Sequence, residues 1–423
     1  MIRLPAQGDG PRIGSLLVNP GGPGGSGIEY ARYARYLFPA QVRARFDIVG
    51  FDPRGVGSST PVRCLSDAEL DALIAAPAVP RTPAQTAEVV AASRHFGAAC
   101  QAKNGELLAH VGTVDSARDM DVLRAALGEA KLTYLGKSYG TFLGVKYAEL
   151  FPGRIRGLVL DGALDPALTG ARLNEVQAGG FEANLRDFLS SCARNGGCPL
   201  GSTAAAATAE LDRLLAALER SPLPAAGNRR LGPGPALLGL AAGLYSPQNG
   251  WPRLSAALAA AEKGDGAKLL GLTDSLTDRD PGGHYSNEVE ANAAINCLDR
   301  PWPTSLPAIA ASAASAARTA PHFGAGLVYG SLTCAYWPVP PVEMPHPVRA
   351  TGAPRILVVG TTGDPATPYV WSQALAGQLD SGVLLTYEGD GHTAYGRGSS
   401  CVDSAVNRYL IELRAPPAGQ VCR

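Results

Sequence analysis

Gly136-Lys137-Ser138-Tyr139-Gly140 stands between a run that reads as a strand, Leu132 to Leu135, and a helix-like run from Phe142 to Phe151. A serine on so tight a strand-to-helix turn sits in a strained backbone conformation, and side chains at 136 or 140 would strike the neighbouring strand and helix. The bare G-x-S-x-G spacing is weak in a chain with 51 glycines among 423 residues, where chance supplies roughly a few tenths of a match. Its position at the end of a strand and the start of a helix removes most of that chance. The turn then holds Ser138 at the top of a sheet with its hydroxyl projecting.

The rest of the chain agrees with such a sheet. Apolar runs at 14–19, 46–51, 155–160, 355–360 and 382–387 read as buried strands. Segments 115–127, 142–151, 371–379 and 405–413 read as helices, the first capped by Asp115 or Ser116 and stopped by Gly128. Strands alternating with helices predict an α/β fold with a mostly parallel, doubly wound sheet covered on both faces. From about 165 to 345 the pattern changes to Ala/Leu-rich helical stretches (179–194, 203–220, 253–270, 305–319) between Pro- and Gly-rich loops. A large helical cap inserted into the sheet domain accounts for this, giving 1–164 and 346–423 as the two parts of the core and 165–345 as the cap. The length, about three times that of a typical domain, accommodates both.

Thirty-seven basic and 37 acidic side chains balance to a formal charge of zero, and charged residues make up 17% of the chain against 46% hydrophobic. That balance argues against a nucleic-acid partner and against long disordered segments. No stretch reaches the roughly 18 apolar residues of a bilayer span. The eight cysteines lack paired C-x-x-C spacing, which disfavours zinc and favours disulfides formed in an oxidising compartment. Many connectivities are open. Pairing neighbours in order (64–100, 192–198, 297–334, 401–422) would staple four local regions, whereas buried free thiols would suit a cytosolic protein. The opening Met1-Ile2-Arg3-Leu4-Pro5 lacks the apolar core and cleavage site of a signal peptide, which leaves a removed leader or a protein that stays inside the cell; the cysteines favour the first, so the expectation is a secreted protein.

A serine hydroxyl becomes a useful nucleophile only when a base takes its proton, and the base in turn needs a carboxylate to orient it. Of the six histidines, His392 in Gly389-Asp390-Gly391-His392-Thr393 follows the strand 382–387, where the base of such a sheet belongs; His95, His110, His284, His322 and His346 read as surface or packing residues. Asp364, after the strand 355–360, is the first choice for the acid, with Asp161 and Asp390 as competitors. The oxyanion needs two N–H donors. One is Tyr139, and the other comes from the loop Pro20-Gly21-Gly22-Pro23-Gly24-Gly25, with Gly22 preferred and Gly21 as the alternative. This loop lacks the Lys-Ser/Thr ending of a phosphate-binding loop. Asp52-Pro53-Arg54-Gly55-Val56-Gly57-Ser58 reads as a bracing turn. Nothing in the pattern calls for a metal or an organic cofactor.

Asn19-Pro-Gly-Gly-Pro-Gly-Gly-Ser-Gly27, Asp52-Pro-Arg-Gly-Val-Gly-Ser58, Gly136-Lys-Ser-Tyr-Gly-Thr141, Gly363-Asp364 and Gly391-His392 together resemble the α/β-hydrolase fold. They are most similar to the secreted tripeptidyl-aminopeptidase-like serine peptidases related to prolyl aminopeptidases. The matches span 14–164 and 350–423, and in the cap Ala294-Ile295-Asn296-Cys297-Leu298-Asp299 is similar as well. The resemblance implies Ser138 as nucleophile, Asp364 as acid, His392 as base, and the Gly21–Gly24 loop as oxyanion partner of Tyr139. It also implies a short peptide substrate held by its free amino group through cap carboxylates, for which Glu288, Glu290 and Glu29 are candidates. Pro20 replaces the histidine that opens this loop in prolyl aminopeptidases, which argues against narrow proline specificity. Members of the group carry one or two strands before the equivalent of 16–19, for which this chain has little room. An esterase, or a biosynthetic amide hydrolase or acyltransferase acting on a small metabolite, would use the same three residues, because fold and triad do not fix the acyl group.

Overall fold

The computed structural model describes residues 1–8 and 10–423. Among the described residues, eight strands form one sheet: β1 (Ile2–Leu4), β2 (Gly14–Asn19), β3 (Phe46–Gly50), β4 (Leu132–Lys137), β5 (Ile155–Asp161), β8 (Ile356–Gly363), β9 (Gly382–Asp390) and β10 (Val421–Cys422). Two short strands between them, β6 (Leu223–Pro224) and β7 (Arg230–Leu231), pair separately as a small antiparallel ladder. The spatial order is β1-β3-β2-β4-β5-β8-β9-β10, and every pair is parallel except β1 with β3.

Burial on both faces explains why these strands read as continuous apolar runs rather than as alternating ones. Within β2, Leu17 points into the cluster that also holds Val49, Tyr134, Leu158 and Val358. Its neighbours Leu16 and Val18 point to the other face, with Ile48, Leu135, Val159 and Leu357. Helix Tyr139–Leu150 covers the first face and helix Ser400–Glu412 the second. The parallel order brings the carboxyl ends of β2, β4, β8 and β9 to one edge, where open α/β sheets bind their ligands.

Several elements differ from the sequence reading. Strand β1 does precede β2, so one of the early strands expected from the resemblance is present. The helix read at 115–127 runs Thr113–Ala126 with Gly112 as its N-cap, because the Thr113 N–H and hydroxyl are drawn to Asp299 instead of turning outward. The stretch 253–270 is two helices, Gly250–Ala261 and Ala267–Leu276, broken at Lys263-Gly264-Asp265-Gly266, where Gly264 takes φ of +86°. Helices Asp67–Ala75, Pro83–Asn104, Pro233–Leu244 and Glu288–Asp299 have no counterpart in the sequence reading.

Between β5 and β8 the chain leaves the sheet. Helices Gly170–Arg194, Ala204–Arg220, Pro233–Leu244, Gly250–Ala261 and Ala267–Leu276 close around their own apolar cluster of Phe181, Leu185, Phe188, Leu211, Leu240, Leu254 and Leu269. Helix Glu288–Asp299 behaves otherwise: Ala291, Ala294, Ile295 and Leu298 join the cluster on the sheet. The cysteines pair as neighbours in order, Cys64–Cys100, Cys192–Cys198, Cys297–Cys334 and Cys401–Cys422. No helix among the described residues is long and apolar enough to cross a membrane.

Candidate active site

Ser138 ends β4 with φ of +55° and ψ of −126°, a region that a non-glycine residue occupies only under constraint. The constraint comes from both sides. A Cβ on Gly136 would run into the carbonyl oxygen of Gly140, and one on Gly140 would lie 2.7 Å from Asn19 Oδ1. Helix Tyr139–Leu150 starts directly after the serine, three residues earlier than the sequence pattern indicates, so the Tyr139 N–H lies in the unbonded first turn.

The glycine loop after β2 packs against this turn. Gly21 has φ of +109°, and a side chain there would meet Ser138 Cβ and the Lys137 carbonyl oxygen, each at 2.8 Å. The Gly21 N–H is already donated to Asn19 Oδ1 at 2.9 Å, and the Gly25 N–H goes to the Gly21 carbonyl at 3.2 Å. Pro23 has no N–H. Gly22 is therefore better suited than Gly21 to serve as the second donor beside Tyr139. Asp52 braces the loop by accepting from the Ser26 hydroxyl at 2.6 Å, Ile28 N at 3.1 Å and Ser58 N at 2.8 Å, which is the bracing role expected of its turn.

His392 follows β9, and its Nδ1 lies 2.9 Å and 3.1 Å from the two oxygens of Asp364. Asp364 is 3% exposed and also accepts from the N–H groups of Ala366, Thr367 and Thr393 and from the Thr367 hydroxyl, at 2.8–3.0 Å. So many donors keep the carboxylate in place. They also commit the ring's Nδ1 to it, which leaves Nε2 as the nitrogen able to take a proton from elsewhere.

The two competing carboxylates have other surroundings. Asp161, at the end of β5, accepts from Ala394 N and Tyr395 N and lies 3.8 Å from Lys137 Nζ. Burial pushes its carboxyl up and the Lys137 ammonium down. Its bonds fix the stretch just after the histidine rather than the ring itself. Asp390 lines a shallow crevice between Tyr245–Gln248 and the stretch from Tyr387 to Arg397, and its carboxyl is raised by burial.

The three candidate amine ligands separate. Glu288, the first residue of helix Glu288–Asp299, is half-buried, and its carboxylate has no hydrogen-bond or ion-pair partner among the described residues. Burial, helped by Asp278, pushes it up to about 7. Its helix touches the glycine loop: a Cβ on Gly24 would lie 2.7 Å from the Glu288 carbonyl oxygen, and Asn292 Nδ2 donates to the Pro23 carbonyl at 3.0 Å. Glu290 does not fit the expected role. It is fully buried with Oε1 accepting Cys64 N at 2.5 Å and Leu65 N at 2.8 Å, so it ties the first disulfide region to the helix. Glu29 is exposed and paired with Arg32 at 2.6 Å, a solvated surface carboxylate. Sequence reasoning missed Tyr245, whose ring stands edge-on to the imidazole with centroids 5.0 Å apart. It lies 147 positions from His392 in a helical stretch, with no motif around it.

A parallel sheet with a strained serine elbow, a glycine loop beside it and an Asp–His pair on the last two long strands is the architecture of an α/β-hydrolase. Residues 320–422 match the model of the TAP-like protein family. Over its full length the chain is 44% identical to serine protease Hip1 of Mycobacterium tuberculosis (strain ATCC 25618 / H37Rv), covering 83% of that protein. It is 41% identical to a protein of the same strain named carboxylesterase B, covering 82% of it. A tripeptidyl aminopeptidase of Streptomyces lividans is 31% identical over 97% of this chain and 77% of its own length. The chain belongs to this family of TAP-like α/β-hydrolases, and it is an enzyme of the hydrolase class.

Proposed function

We propose that the protein is a serine exopeptidase that releases short peptides, tripeptides among them, from substrates with a free amino terminus. Ser138 Oγ attacks the scissile carbonyl as Nε2 of His392 takes its proton. Asp364 holds the imidazole tautomer and offsets the charge that forms on the ring. The Tyr139 and Gly22 N–H groups receive the oxyanion, an arrangement in which each donor contributes about 3 kcal/mol to lowering the barrier. His392 then passes the proton to the leaving amine, water attacks the acyl-enzyme, and the released acid and Ser138 recover their protons. Residues 165–345 act as the cap that admits only the end of a chain, and Glu288 receives the substrate ammonium. The four disulfides suit an extracellular location.

The observation that carries the peptidase reading is the unpaired, partly buried carboxylate of Glu288, on the helix that packs against the glycine loop, since an ester has no use for a desolvated anion there. The relative named carboxylesterase B favours the second reading, an esterase with the same triad. Turnover of a tripeptide amide chromogen with its amino terminus free, the same peptide acetylated, and a short-chain aryl ester separates the two. The free-amine peptide is expected to be cleaved and its acetylated form left intact, with the activated ester turned over more slowly, and all turnover is lost in Ser138→Ala. Ester turnover with both peptides untouched would overturn the peptidase reading, and full activity in Ser138→Ala would overturn the assignment of the nucleophile.

A further inference from the structure

The histidine loop is held by the insertion as well as by the sheet. The His392 N–H donates to the Tyr245 carbonyl oxygen at 2.9 Å, just after helix Pro233–Leu244. The Tyr245 ring meets the imidazole at 77° with centroids 5.0 Å apart. A Cβ on Gly391 would lie 2.7 Å from Pro247 Cδ, so the two backbones are in close contact. Behind Tyr245 the ring of Phe181 lies 6.1 Å away, and Phe323 stacks on Phe181 at 5.2 Å, deep in the apolar cluster of the insertion.

The acid loop is gripped in the same way. Asn184 Nδ2 donates to the Gly363 carbonyl at 2.9 Å and Gln177 Nε2 to the Ala366 carbonyl at 2.6 Å. Both come from helix Gly170–Arg194, where a Cβ on Gly180 would lie 2.8 Å from the Pro365 carbonyl oxygen and 2.7 Å from Pro368. Strands β8 and β9 deliver Asp364 and His392 to the sheet edge. The loops that carry them, 363–368 and 391–393, rest on residues that belong to the insertion.

From this we infer that Tyr245 is a positioning residue for His392: its ring fixes the plane of the imidazole, and through it the packing of the insertion sets the alignment of the base with Ser138. The inference rests on His392 being the base. An imidazole held only at Nδ1 can still swing about that bond, and Nε2 sweeps the widest arc. An aromatic ring set nearly perpendicular against the imidazole removes this freedom, whereas the Tyr245 hydroxyl plays no part in it. The insertion thus does more than limit access, because loosening it slackens the acid–base pair as well.

The test compares Tyr245→Ala, Tyr245→Leu and Tyr245→Phe in the full-length protein. It uses kcat and KM on the best substrate, the rate at which a fluorophosphonate labels Ser138, and a thermal melt. His392→Ala serves as the reference for complete loss. Tyr245→Ala is expected to lower kcat and the labelling rate about tenfold with KM nearly unchanged. Tyr245→Leu, which keeps most of the bulk and guards against loss of fold, behaves likewise. Tyr245→Phe is expected to restore both rates to within about twofold, since it keeps the ring. A change in KM alone would make Tyr245 a wall of the substrate site and overturn the inference. So would unaltered labelling in the leucine protein, or a phenylalanine protein as slow as the alanine one. If His392→Ala retains activity, the base assignment itself fails, a result distinct from any of these.

Discussion

Replacing Glu288 with glutamine removes the charge proposed to receive the substrate ammonium while keeping the shape of the side chain. The size of the effect follows from the environment of this carboxylate. With burial holding it at about 7, it is ionised in about one-tenth of molecules at pH 6 and about nine-tenths at pH 8. A peptide α-amino group titrates at about 7.8 and must carry its proton to pair with it. The product of the two fractions is about 0.09 at pH 6, peaks at about 0.5 near pH 7.4, and falls back to about 0.09 near pH 8.8. Dividing kcat/KM for a free-amine peptide by that for an aryl ester on the same enzyme cancels every pH effect that the two substrates share. The ratio should therefore rise about sixfold from pH 6 to 7.4 and then fall. In Glu288→Gln the ratio should drop about 10- to 100-fold at pH 7.4, the worth of a hydrogen bond to a charged group, and lose its rising limb. Ester turnover should stay as it was. A ratio that is flat across this range in the native protein, or is unmoved by the substitution, refutes the assignment of Glu288.

Three further outcomes are expected. Asp364→Asn should lower kcat about 10⁴-fold, because an amide no longer selects the imidazole tautomer. Asp161→Asn, which loosens the 394–395 backbone instead, should lower the melting temperature while kcat stays well above that of Asp364→Asn; equal losses in kcat would contradict the choice of acid. Reduction under non-denaturing conditions should lower the melting temperature. The Cys64–Cys100 and Cys297–Cys334 loops, with separations of 36 and 37 residues, should each account for up to about 4 kcal/mol, and an unchanged melt with free thiols detected would contradict this.

Those features of the site that depend on neighbours in the chain were legible in the sequence. The serine elbow is one, since glycines at 136 and 140 are required by contacts made within a single turn and with the adjacent strand. The cysteine pairing was legible only in part: the sequence left many connectivities open, neighbour-in-order pairing among them, and the structure takes that one, with separations from 6 to 37 residues. The buried strands also stood out, as a sheet covered on both faces leaves continuous apolar runs. Helix Pro83–Asn104 did not, because it buries only Ser93, Phe96, Gly97 and Cys100 along 22 residues and so carries no clear apolar stripe.

The motif order of serine, aspartate and histidine along the chain was enough to nominate Ser138, Asp364 and His392. Only the tertiary structure could sort the acidic candidates around them. Glu288 and Glu290 are two positions apart, so a helix turns them to different sides: the Glu288 carboxylate is left unpaired, while Glu290 is buried with one oxygen accepting from the backbone of Cys64 and Leu65. Glu29 lies in the helix just after the glycine loop and is still lost to solvent and Arg32. Tyr245 reaches His392 only through the packing of the insertion onto the sheet, a contact between distant segments that no local pattern encodes. Local sequence determined the turn that strains the serine and the strands that carry its partners, because those depend on backbone sterics and alternation. Which charges remain unpaired, and what holds the histidine in plane, depended on the long-range packing of separate segments.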